Sequence, residues 1–282
     1  MKTTLHEILA YAEKYKIAIG AFNIGNKDIF DAIIEAAEEC DSPVIIECAP
    51  AELDFLGDTF FVYVRKKIEE SSIPICLHLD HGKNMAIIKR TVDLGFQSVM
   101  IDASDKNFEE NVQLTGLVCE YAHEHEVDVE AELGTIGNTG DDSPDIQYTQ
   151  PRQAAEFCRR TGVDALAVAI GTSHGMYPKN KEPKLRIDIL DEIHQCVHAP
   201  LVLHGGSGNK DEEIIMSIRH GIRKINISSE VKAAYFQEMK AYMEEHPKEV
   251  KTQIIQAGPY VCAKEKVKER IGLFRTEKGG AN

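Results

Sequence analysis

The sequence predicts an α/β protein folded as a (β/α)8 TIM barrel. Three observations carry this. Eight short apolar runs alternate with amphipathic helical patterns over 282 residues. No linker or low-complexity stretch divides them, so residues 1–282 read as a single domain. Three of the runs lead into a histidine followed by glycine: His81-Gly82, His174-Gly175 and His204-Gly205. Strand–helix alternation implies parallel pairing with right-handed crossovers, and eight such units close a barrel. A doubly wound open sheet is the alternative that fits the same alternation.

The strand runs fall at 17–22, 44–47, 75–79, 98–101, 127–132, 165–170, 201–204 and 224–227. Apolar runs of this length read as strands buried on both faces. Helical patterns lie near 27–40, 54–71, 84–94, 108–125, 151–161, 186–196, 210–220 and 229–245. Pro151 suits the first turn of its helix, and Asn107 before Phe108-Glu109-Glu110 suits a capping position. Pro43, Pro74 and Pro200 each precede a strand, where the missing N–H is tolerated. The loop at 134–150 holds three glycines and three aspartates and reads as a mobile lid. A helical extension follows at about 247–275, ending in a frayed tail.

A net charge of −14 argues against a nucleic-acid surface. No stretch is apolar for long enough to span a membrane, and the first residues lack the apolar core of a signal peptide. The expected location is cytoplasmic. Seven scattered cysteines without CxxC spacing read as free thiols.

Parallel strands in one barrel bring their C-terminal ends to one rim, where barrel enzymes place their chemistry. His81, His174 and His204 would then meet, forming a metal site with an open fourth position. The expectation is one catalytic divalent ion per chain, Zn2+ by donor type. Asp80, directly before His81, reads as a supporting residue, a structural cap or a general base. Asp102 and Glu132 are either further ligands or polar groups that orient the histidines. Gly205, Gly206 and Ser207 after the seventh strand, with Asn226, Ser228 and Ser229 after the eighth, suit a phosphate. Ser229 could cap the helix that follows. Lys179, Lys181, Lys184 and Arg186 follow His174 closely enough to contact an anionic substrate.

The motifs HLDHG (78–82), SVMIDAS (98–104), VEAELG (129–134), AVAIGTSHGMY (167–177), PLVLHGGSG (200–208) and KINISSE (224–230) closely resemble the class II, metal-dependent ketose-bisphosphate aldolases. The resemblance covers nearly the whole chain and leans toward the tagatose-bisphosphate branch. It implies zinc on His81, His174 and His204, and proton transfer by Asp80. It implies a second divalent or monovalent cation, or another zinc position, at Asp102 and Glu132. It implies contacts from Gly175, Gly205, Ser207, Asn226 and Ser229 to dihydroxyacetone phosphate. The substrate would be a ketose of the tagatose or fructose 1,6-bisphosphate type, in a homodimer or homotetramer.

The sequence departs from the family pattern in three places. Serine stands at 229 where threonine is usual, and Ser228 where fructose-bisphosphate enzymes commonly have aspartate. The lid glutamate aligns with Gly140, so either Asp141 or Asp142 transfers the proton, with Asp141 nearest, or the step is slow. No arginine-bearing segment for a second phosphate is found in 247–262, so an unphosphorylated aldehyde product is the alternative. Other readings are a metal-dependent hydrolase and a catalytically idle sugar-phosphate-binding barrel. Hydrolases of this kind place an HxH pair at an early strand, whereas His78 and His81 stand three apart, on opposite faces of a regular strand.

Overall fold

The computed structural model describes residues 1–138, 147–175, 177 and 184–275. Eight parallel strands close a barrel: β1 (Ile19–Asn23), β2 (Val44–Cys48), β3 (Ile75–Gly82), β4 (Ser98–Ile101), β5 (Asp128–Leu133), β6 (Ala165–Val168), β7 (Leu201–Leu203) and β8 (Ile222–Ile227). Each strand pairs with its sequence neighbours, and β8 closes on β1 through Ile19↔Lys224 to Phe22↔Ile227. Helices fill the outside, as the alternation predicts.

Strand alternation sorts side chains into two cores. Outward residues such as Phe22, Ile46, Leu77, Val129 and Leu166 pack against the helices. Inward residues Ile19, Ala21, Ile45, Cys76, Ala167 and Val202 fill the barrel. Leu5, Ile8, Leu9 and Ala12 join this inner core, so the helix Leu5–Tyr15 plugs the N-terminal end. The strand and helix patterns did not predict that helix, although its capping box, Thr4 with Glu7, is a sequence signal.

Three boundaries differ from expectation. The helix expected at 54–71 is two helices, Pro50–Leu56 and Asp58–Glu70. Gly57, at φ +74°, breaks it, and the earlier start at Pro50 brings Glu52 to the mouth. The C-terminal extension is a short helix Thr252–Ile255 and a long one, Ala257–Phe274, packed on Lys27–Glu39 and Ser229–Glu245. The feet of the long loop are ordered: Gly137–Asn138 pairs in parallel with Ser173–His174, and the Thr149 N–H donates to the Ala169 carbonyl at 3.0 Å. Residues 139–146, which include Asp141 and Asp142, lie outside the described residues, as does Lys179.

Candidate active site at the mouth of the barrel

β3 builds the centre of the site through an irregularity. Leu79 pairs with Val99 and Gly82 with Ile101, so three steps along β3 match two along β4. The extra residue is a β-bulge, which re-aims side chains next to it. His81 sits there at φ +50°, in the left-handed region. A regular strand would send His81 to the helix layer, away from His78. The bulge instead turns it over the mouth beside Asp80, while His78 stays inside the barrel. The opposite-faces expectation for His78 and His81 therefore fails at His81.

The three histidines converge as predicted. His81 Nε2 lies 3.3 Å from His174 Nε2 and 3.0 Å from His204 Nδ1. Three ring nitrogens aimed at one point suit a shared cation. Two rings are fixed from behind. His81 Nδ1 is 2.8 Å from Asp102 Oδ2, and His204 Nε2 is 2.8 Å from Glu130 Oε1. A carboxylate behind an imidazole fixes its tautomer and leaves the other nitrogen free to ligate. The donor set therefore fits a nitrogen-bound divalent ion with an open position.

His81, Asp102 and Glu132 form a second set whose ligand atoms all lie within 4.8 Å of one another. Glu132 is buried with Oε2 lacking a hydrogen-bond partner, and burial next to Asp102 pushes its pKa up to about 8. Asp102 accepts from Lys83, at 2.5 Å, and from the Ser104 hydroxyl, at 2.7 Å. Its carboxyl is held far below the usual range because bonds to His81, Lys83 and Ser104 outweigh its burial.

Asp80 faces the same space. Asn23 Nδ2 donates to its Oδ2 at 2.9 Å, and Asn226 Nδ2 to its Oδ1 at 3.3 Å. Burial would raise its pKa, but the charges of His81, His204 and Lys224 and the Asn23 bond bring it down to about 2. The group is therefore an ionised proton acceptor at neutral pH.

Beneath the mouth lies a charged floor. Lys224 Nζ stands 2.7 Å from Glu47 Oε1 and 2.9 Å from Glu130 Oε2, all three side chains fully buried. Burial lowers the Lys224 pKa, but the two carboxylates more than reverse this and hold the ammonium charged. Burial, with Asp80 and Glu130 nearby, pushes the Glu47 pKa up against the pull of the Lys224 charge. Sequence reasoning gave Lys224 and Glu47 no role, although a charge inside a buried strand was a signal. Asn23, at the end of β1, was missed as well.

The mouth is a cavity of 310 Å³ that takes in Asp80, the three histidines, Gly175, Gly205, Ser207, Asn226, Ser228 and Ser229. Gly205 has φ +63°, and a Cβ there would stand 2.6 Å from the Ser173 carbonyl oxygen. A Cβ on Gly206 would stand 2.6 Å from Ile225 Cγ2 and 2.9 Å from the Asn226 carbonyl oxygen, and Gly206 is not itself in the cavity wall. Ser228, rather than Ser229, is the residue before the helix Ser229–Glu245, and its side chain does not cap it. The first N–H groups of a 17-residue helix thus face the Ser207 turn, an arrangement suited to an anion. Arg186 of the expected cationic cluster is taken up by Asp188 and the Tyr148 ring and does not line the cavity.

Comparison with known proteins decides the family. Residues 3–278 match the family model described as fructose-bisphosphate aldolase class-II. The chain belongs to the class II fructose-bisphosphate aldolase family. It is 39% identical over 273 residues to a fructose-bisphosphate aldolase of Giardia intestinalis, covering 86% of this chain and 84% of the relative. Its fold matches the YdjI aldolase from Escherichia coli K12 with a TM-score of 0.87 and 34% identity, covering both chains completely. A putative fructose-1,6-biphosphate aldolase from Coccidioides immitis matches with a TM-score of 0.86 and 28% identity, over 98% of this chain and 97% of that one. Membership in this aldolase family makes the protein a lyase. Among the described residues, no helix is long and apolar enough to cross a membrane.

Proposed function

We propose that the protein is a zinc-dependent aldolase that reversibly cleaves a phosphorylated ketose into dihydroxyacetone phosphate and an aldehyde. The observation that carries this is the convergence of three imidazole nitrogens beside an ionised aspartate. His81, His174 and His204 hold the cation, and Asp102 with Glu132 suits a second one. When bound, the zinc ion supplies the positive charge that stabilises an enediolate.

The chain's own residues do the rest. Asp80 removes the proton of the C4 hydroxyl as the C3–C4 bond breaks, and Asn23 and Asn226 keep its carboxylate aimed. Gly175, Gly205, Ser207, Asn226, Ser228 and Ser229 bind the dihydroxyacetone phosphate end and fix the carbonyl above the histidines. Gly206 shapes that turn, and Lys179, five residues after His174 in sequence, binds the anionic substrate. Asp141 in the lid exchanges the proton at the hydroxymethyl carbon. Fructose and tagatose 1,6-bisphosphates and the matching 1-phosphates are the substrates to assay, in a cytoplasmic homodimer or homotetramer. The test is release of dihydroxyacetone phosphate in a coupled assay. No release from any of these ketoses by the zinc-loaded protein would reject the reading.

A further inference from the structure

One wall of the cavity is not used by this chemistry. Glu52, on the helix Pro50–Leu56, and Lys232, on the helix Ser229–Glu245, meet there as an ion pair. Glu52 is fixed at both oxygens: Oε1 accepts from Lys232, and Oε2 accepts the Ala49 N–H at 3.1 Å. Lys232 is braced beside Gly25, its Cε lying 3.5 Å from the position of a Cβ on that glycine. Both side chains are only partly exposed, 17% for Glu52 and 29% for Lys232.

Their place defines what they can read. The phosphate turn lies at the ends of β7 and β8, and Asp80 is held between Asn226 at the end of β8 and Asn23 at the end of β1. A ketose with its phosphate on that turn and its C4 hydroxyl at Asp80 would extend its further carbons toward the ends of β1 and β2, where Ala49, Ala51, Glu52 and Lys232 form the wall. Among the described residues lining the cavity, Lys232 is the one lysine or arginine, and Glu52 already neutralises it. A phosphate dianion at this wall would gain a cation and meet a carboxylate at the same time. A hydroxyl both donates and accepts, and so matches a fixed acceptor beside a fixed donor.

Resting on the aldolase reading above, we propose that the Glu52–Lys232 pair selects the aldehyde half of the substrate, favouring a hydroxylated, unphosphorylated end. Glu52 acts against a second phosphate, as a built-in repulsive element. The preferred substrate class is then a ketose 1-phosphate.

The experiment compares kcat/KM for a ketose 1-phosphate and the matching 1,6-bisphosphate in wild type, Glu52→Gln and Lys232→Met. Each preparation serves both substrates, so the ratio is independent of the fraction folded. Wild type is expected to favour the 1-phosphate by at least about tenfold, a discrimination within reach of one polar contact. Glu52→Gln keeps an oxygen for the Ala49 N–H, removes the charge, and should move the ratio toward the bisphosphate by about tenfold. Lys232→Met, leaving Glu52 unneutralised, should move it the other way, and Lys232→Arg should restore it. A wild-type preference for the bisphosphate, or a ratio unmoved in both variants, overturns the inference. Solvent-deuterium exchange into dihydroxyacetone phosphate by wild type, which needs no aldehyde, separates the two levels. Exchange with an unmoved ratio rejects only the pair's role, whereas no exchange and no cleavage rejects the aldolase reading and this inference with it.

Discussion

Glu130 Oε1 accepts His204 Nε2 at 2.8 Å while its other oxygen stands 2.9 Å from Lys224 Nζ. One buried carboxylate thus links a proposed metal ligand to the charged floor of the barrel. Glu130→Gln should weaken zinc binding by about 10- to 100-fold, the usual cost of losing a carboxylate behind a ligating histidine. Competition with a chromogenic chelator measures this. Unchanged affinity would reduce Glu130 to a counter-ion for Lys224.

His174→Ala should lower the metal content from about one ion per chain to near zero, read by elemental analysis. Chelation of the wild type should abolish cleavage, and added zinc should restore it. Full activity in metal-free protein would exclude the proposed site.

Asp80→Ala should retain metal and fold while losing about two to four orders of magnitude in carbon–carbon cleavage, the range for a positioned base. Near-normal turnover by the metallated variant would make Asp80 structural.

Arg270 couples the C-terminal helix to the phosphate turn. Its Nε donates to Glu230 Oε2 at 2.6 Å, and Glu230 Oε1 accepts the Gly208 N–H at 2.5 Å. Arg270→Met leaves Glu230 unpaired and should cost about 3–5 kcal/mol in denaturant unfolding, as for a broken buried pair. KM for the phosphorylated substrate should rise more than kcat falls. Unaltered stability and KM would uncouple this helix from the site.

Asp141→Ala should suppress deuterium exchange into dihydroxyacetone phosphate more than it weakens binding. If Asp141→Ala and Asp142→Ala both exchange at the wild-type rate, the proton donor is not a lid aspartate.

The barrel was legible because its strands are continuous apolar runs separated by helical periodicity. The histidines were legible because each follows such a run and precedes a glycine. The bulge at Asp80–His81 was not, since register is a relation between β3 and β4. The Lys224 floor was hidden for the same reason, as its partners come from β2 and β5. Glu52 was obscured by a helix that starts earlier than its amphipathic pattern. The N-terminal plug was announced by Thr4 and Glu7 but lies outside the repeating unit.

The three imidazoles come from far-separated stretches of chain: His81 is 93 residues from His174 and 123 from His204. A nascent polypeptide has only two of them until β7 is made. A cation held by all three would therefore bind the closed chain and ignore its unfinished forms. At a thousandfold excess over its dissociation constant, such an ion adds about 4 kcal/mol to the closed state alone. Metal supply would then act on the lifetime of this protein as well as on its turnover, with starved chains the first to reopen.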